Sequence, residues 1–133
     1  MRQNNISVLK HMHRYCKEIG ETIEIFKPSY EVFRENATYH NAISMCLMQI
    51  GELSAHLTDE FKELSKGIDW KGMRGMRNHF AHGYSSMDYQ TIWDVVQTNI
   101  PQLQEFCEKT IDWYEKANAP SVELEEEDEI EFE

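Results

Sequence analysis

The chain is poor in the residues that break or staple a fold. Only 6 of its 133 residues are Gly and 3 are Pro, while Met, Leu, Ile, Glu and Lys are common, so helix is favoured over sheet. The 3 cysteines, Cys16, Cys46 and Cys107, are odd in number, widely spaced and without a C-x-x-C pair. That pattern argues against both a disulfide framework and a zinc knuckle. Each falls on an apolar seam and reads as a small buried hydrophobe in a reducing compartment. No run approaches the roughly 20 apolar residues of a membrane span, and the start, MRQNNISVLKH, has no apolar signal core. The expectation is a soluble, cytoplasmic single domain.

Positive charge is also scarce, and unevenly so. Net charge is −11, but residues 123–133 (ELEEEDEIEFE) hold eight acids and no base. The remaining thirteen bases and sixteen acids leave residues 1–122 at −3. Within them, Lys66, Lys71, Arg74 and Arg77 stand against Asp69 alone over residues 66–84, a local +3. Such a chain does not hold nucleic acid by bulk electrostatics, since affinity there scales with the phosphates neutralised. A small basic island still suits one or two phosphates.

Hydrophobic spacing places the helices. Leu9, Met12, Cys16, Ile19, Ile23 and Phe26 recur at alternating threes and fours, predicting a helix over 6–26 that ends before Pro28. A second runs over 36–57, with Ile43, Cys46, Leu47, Ile50, Leu53 and Leu57 inward. Thr58 caps a short helix or turn closed by Gly67, and Asp69 caps a third helix ending at Gly83. Asp88 starts a fourth, with Ile92, Val95 and Val96 inward. Pro101 should interrupt it, with Asn99 as a new N-cap, so that a kink or fresh helix carries Leu103, Phe106, Cys107, Ile111 and Tyr114. The fold class is all-α: an antiparallel bundle of four main helices plus one or two short ones over 1–118, and an acidic tail over 119–133. The tail reads first as a solvated extension, with alternating Val122, Leu124, Ile130 and Phe132 leaving a second option, ordering against a partner or folding over the basic island as a phosphate mimic.

The chemistry gathers in residues 73–84, MRGMRNHFAHGY. At 100° per residue, Trp70, Met73, Met76 and Phe80 share the core arc, while Arg74, Asn78 and His82 form a polar ridge beside it. Arg77 lies on the border, its stem along the core and its planar fork suited to two phosphate oxygens. Arg77 and His82 are about 140° apart, so they cooperate most easily if a second copy of the helix faces the first. Each also has a plain structural explanation: Arg77 as a partner of a neighbouring helix end, His82 as a helix C-terminal cap. His79 points away and reads as solvated, the H-x-x-H pair lacks a third ligand, and no metal is expected. Tyr84 reads equally as packing or function.

Arg77-Asn78-x-x-x-His82 resembles the R-N-x-x-x-H signature of the HEPN superfamily of helical bundles, many of them metal-independent ribonucleases. The extension to Gly83-Tyr84 is similar to the R-x-x-x-x-H-x-Y form of its HepT-like toxin branch. The flanks, IDWKGMRGMRNHFAHGYSSMDYQTIWDVVQTNIPQL, agree with that branch, and the resemblance spans roughly residues 6–116. It implies a homodimer whose two motifs line one cleft, an RNA substrate, no cofactor, and a nucleotidyltransferase partner of the MntA type. Such a pair is a type VII-like toxin–antitoxin system, in which the partner transfers AMP to the motif tyrosine, here Tyr84. Arg77 and His82 are then the expected catalytic pair, with Asn78, Arg74 and Tyr84 contacting RNA. The alternative is a non-catalytic HEPN module binding a nucleotide or the nucleotidyltransferase; a third reading is a purely structural partner of that enzyme.

Overall fold

The computed structural model describes residues 3–81 and 88–118. It is all helical among those residues: α1 (Gln3–Phe26), α2 (Tyr30–Glu35), α3 (Ala37–Ser54), α4 (Asp59–Leu64), α5 (Trp70–Ala81), α6 (Tyr89–Asp94) and α7 (Ile100–Ala117). Long α1 sits centrally, packed on α3 and α7, and α3 packs in turn on α5. Ion pairs of Lys10 with Glu115 and His13 with Glu108 show α7 running antiparallel to α1. The seam of α1 is as its spacing implies, with Leu9, Met12, Cys16 and Ile19 buried and Ile23 and Phe26 packed at the rim.

Polar side chains decide where the helices stop. After Phe26 the chain turns through Lys27, held at φ 103°, and its carbonyl accepts from both Tyr39 Oη and the Ser29 N–H at 2.8 Å. Those two bonds offset a left-handed conformation that costs a non-glycine residue about 1–2 kcal/mol. Ser29 caps α2, a six-residue helix too short for hydrophobic periodicity to reveal. Asn36 then closes α2 through its N–H and caps α3 through its side chain. Helix α3 ends at Ser54 rather than 57, because residues 55–57 tighten into i to i−3 bonds. The Thr58 side chain caps α4, and Asp69 accepts from the Gly72 N–H at 2.9 Å to cap α5.

The expected break before Pro101 is corrected. Asn99 has helical φ and ψ (−81°, −35°) and its side chain makes no cap bond. Residues 95–99 form a π turn, in which the Ile100 N–H bonds the Val95 carbonyl, and the chain runs helically from α6 into α7. A proline ring clashes with the carbonyl four residues back and supplies no N–H. Widening the turn just ahead of it absorbs both defects without ending the helix.

Two buried features knit the elements together. Asn5, 2% exposed, donates from Nδ2 to Thr58 Oγ1 and accepts the Thr58 N–H at Oδ1, both at 3.1 Å. It thereby joins the start of α1 to the cap of α4. On the far side, Phe33, Tyr39, Trp93 and Tyr30 form an aromatic cluster. Against it His40 stacks on Tyr89 at 4.5 Å, with Nδ1 bonded to the Phe33 carbonyl. Nδ1 must donate to the carbonyl, and Nε2 lies 3.4 Å from Tyr89 Oη, in hydrogen-bond contact with it. This clasp fixes the first turn of α6.

Cys16, Cys46 and Cys107, from α1, α3 and α7, are buried and free. Burial foremost pushes the Cys16 thiol up to about 12 and Cys46 to about 11, and Cys107 rises further. Glu18 adds to the rise of Cys46, and Glu108 to that of the other two. They are inert as nucleophiles at neutral pH.

Two outcomes follow from these contacts. Asn5→Ala leaves the Thr58 N–H without its buried acceptor and should lower stability by about 1–3 kcal/mol, measured by urea unfolding. The thiols hold their protons in the folded state above the ordinary value of 9.0. Stability should therefore be intact below pH 9 and fall as pH rises towards 11–12, by about 1.4 kcal/mol per pH unit for each thiol. A flat denaturation midpoint between pH 9 and 11 would contradict this.

Candidate functional site

Helix α5 is amphipathic as its spacing implies: Met73, Met76 and Phe80 are buried, and Trp70 is half-buried against Phe61 and Phe106. Trp70 also donates from Nε1 to the Ser65 carbonyl at 3.1 Å, fixing where the helix begins. A side chain at Gly72 would meet the Asp69 carboxylate, which would have to shift from its place at the cap.

The approach of α5 to α3 is set by Gly51. A Cβ at that position would lie 2.9 Å from Arg77 Cβ and 3.2 Å from the Met73 carbonyl oxygen. Lacking one, α3 lets α5 settle so closely that the Arg77 stem lies directly over it. Arg77 is half-buried, and its Nε donates to Glu52 Oε2 at 2.8 Å. That single bond uses the inner nitrogen of the guanidinium; the two terminal nitrogens that face outward in a bidentate grip are not part of it. Arg74 and Asn78 are exposed on the adjoining flank. The structure therefore brings Arg74, Arg77 and Asn78 onto one side of α5. His82 and Tyr84 lie outside the described residues.

Two features went unforeseen. Glu52 stands 25 residues from Arg77 and is recognisable only once α3 and α5 are packed. His79, expected to be merely solvated, is exposed but also lines a cavity of about 290 Å³ between α5 and the π turn. Met73, Met76, Val95 and Ile100 form its apolar wall, and Asn99 and Gln102 supply its amides. The stripe Gly72–Gly75, with nothing within 4 Å of a Cβ at Gly75, was the available signal for such an opening.

Lys66, Lys71 and Arg74 make no ion pair among the described residues, so Glu52 is the one acid that answers the basic island from outside it. Among the described residues no three His, Cys, Asp or Glu side chains converge as metal ligands. No helix among them is long and apolar enough to cross a membrane.

The family model "Ribonuclease HepT-like" matches residues 12–110. A Thermococcus cleftensis protein named "Probable ribonuclease HepT" is 31% identical over 107 residues, covering 76% of this chain and 97% of its own. A Methanocaldococcus jannaschii protein named "Putative RNase" is 32% identical over 98 residues, covering 73% and 90%. One of the same name from Caldanaerobacter subterraneus subsp. tengcongensis is 30% identical over 96 residues, covering 72% and 84%. No solved structure gives a significant match. The all-helical bundle, the polar flank of α5 and these matches agree: the chain belongs to the HepT-like ribonuclease family.

Proposed function

We propose that this protein is the toxin of a toxin–antitoxin pair and a metal-independent endoribonuclease. Membership of the HepT-like ribonuclease family carries the reading. Support comes from α5, which holds a half-buried arginine by its inner nitrogen while its neighbours Arg74 and Asn78 reach solvent. An arginine so held needs little reorganisation to receive a phosphate on its outer edge.

In this reading the 2′-hydroxyl of RNA attacks the adjacent phosphorus and the 5′-oxygen leaves. His82 takes the hydroxyl proton or supplies one to the leaving oxygen, since imidazole titrates near working pH. Arg77 stabilises the charge growing on the phosphoryl oxygens, Asn78 orients His82 or the phosphate, and Arg74 and Tyr84 contact the flanking RNA. Helical spacing through the motif sets Arg77 and His82 about 140° apart, so in this reading two copies of the chain face each other across one cleft. A nucleotidyltransferase neutralises the toxin: the Tyr84 oxygen attacks the α-phosphorus of ATP, and pyrophosphate departs.

The Glu52 pair also favours a second reading, a non-catalytic module in which Arg77 is an anion cradle or a link between α3 and α5. The two part on turnover. Wild-type protein in EDTA should cleave RNA and leave DNA intact, for want of a 2′-hydroxyl. Arg77→Ala and His82→Ala should each lower the rate at least about 100-fold. RNA binding without cleavage, dependent on Arg77 and indifferent to His82, would establish the cradle instead.

Glu52→Gln tests the arginine separately. Freed of its carboxylate, Arg77 becomes a full counter-charge for phosphate, so the slope of log affinity against log salt should steepen by about one. An unchanged slope in an RNA titration across KCl concentrations would mean that Arg77 meets no phosphate.

A further inference from the structure

The cavity between α5 and the π turn has an apolar floor and a polar rim. Ile50, Met73, Met76 and Ile100, all buried, line it, and its volume is about 290 Å³. That is the small end of the range for ligand sites, suited to one flat ring system rather than an extended molecule. Two departures from regular helix shape it. Gly75 stands inside α5, where glycine is less stable than alanine, although a Cβ there would meet nothing within 4 Å. On the opposite wall the π turn carries Val95 and Asn99 to the cavity, and such turns are frequent at functional sites.

The rim is chemically specific. Asp69 gives Oδ1 to the Gly72 N–H, and its second oxygen is not part of that bond. The side-chain amides of Asn99 and Gln102 make no hydrogen bond among the described residues. Each amide offers a donor and an acceptor side by side, and the carboxylate adds an acceptor. No lysine or arginine lines the cavity.

We propose that this cavity receives one unpaired adenine of the RNA strand and so sets a base preference. Adenine carries an amino donor and a ring-nitrogen acceptor on one edge, the pair that an Asn or Gln amide meets bidentately. Its second amino hydrogen suits the Asp69 carboxylate. Guanine shows two acceptors on that edge and calls for a cation, which the cavity lacks, and uracil has no amino group. The thioethers of Met73 and Met76 are soft, adaptable surfaces for the ring. The place also fits: His79 lines the cavity, and Asn78, next to it in sequence, lies on the flank that carries Arg74. A strand held on that flank meets the cavity along one edge of α5. The choice of RNA as ligand rests on the ribonuclease reading; the pocket itself does not.

The experiment is a titration of full-length protein, labelled with ¹³C at the methionine methyls, with 2′-O-methyl RNA octamers of A, C, G or U. Their blocked 2′-oxygens cannot attack, so binding is read without cleavage. Oligoadenylate should shift the Met73 and Met76 methyls well beyond that of Met12, and bind about tenfold or more tighter than oligouridylate. Asn99→Leu should abolish the preference, and Gly75→Leu, by filling the cavity, should abolish both shifts, with helical circular dichroism retained. Equal binding of the octamers, no binding, preference for another base, or shifts that spare Met73 and Met76 would each overturn the proposal. So would methyl positions that follow protein concentration and ignore RNA, which mark a second copy seated in the cavity. Cleavage of unmodified RNA in EDTA is scored apart. Cutting without base preference removes the adenine pocket and keeps the nuclease, whereas discrimination among octamers by a protein that cuts no RNA does the reverse.

Discussion

The candidate site depends on one missing atom, the Cβ at position 51. With Gly51, α5 lies against α3 closely enough that Arg77 and the Met73 carbonyl occupy the space a side chain would fill. The same approach buries Met73, Met76 and Phe80 and brings the Arg77 Nε within 2.8 Å of Glu52. Any side chain at 51 must push the helices apart, and overpacking of this kind typically costs about 1–3 kcal/mol. Stability and the placing of the arginine are thus coupled through one backbone contact.

The starts of α5 and α6 are each fixed by side chains. Asp69 satisfies the Gly72 N–H and Trp70 bonds the Ser65 carbonyl. The Asp88 carboxylate caps α6, and Tyr89 is stacked on buried His40. Burying the His40 ring costs little because both ring nitrogens are paired, one to the Phe33 carbonyl and one to Tyr89.

What could be read in advance was whatever repeats or caps locally. The seam of α1, the inward face of α3 and the core arc of α5 follow from period alone, and Thr58, Asp69 and Asp88 announce helix starts by residue type. Helix α2 was missed because six residues show barely two turns of periodicity. The π turn was missed because a proline ordinarily ends a helix, and only the packing of Ile92, Val96, Ile100 and Leu103 on one core made continuation favourable. Glu52 could not be assigned to Arg77 from a chain in which they stand 25 apart. Its neighbours on the sequence, Gly51 and Leu53, give no sign of which cation it meets.

That pairing changes how an acidic chain can engage a polyanion. With a net charge of −11, long-range attraction is absent, and a phosphate must be drawn in by a few cations close at hand. An exposed arginine would offer charge without direction, at the entropic cost of ordering a long side chain on each encounter. Glu52 removes part of the charge but settles the side chain in advance, trading attraction for orientation. In the proposed reading Arg74, exposed one turn earlier and without an ion pair among the described residues, supplies the attraction that Arg77 gives up. The proposal thus divides between the two arginines of α5 the tasks of drawing an anion in and of holding it in one pose.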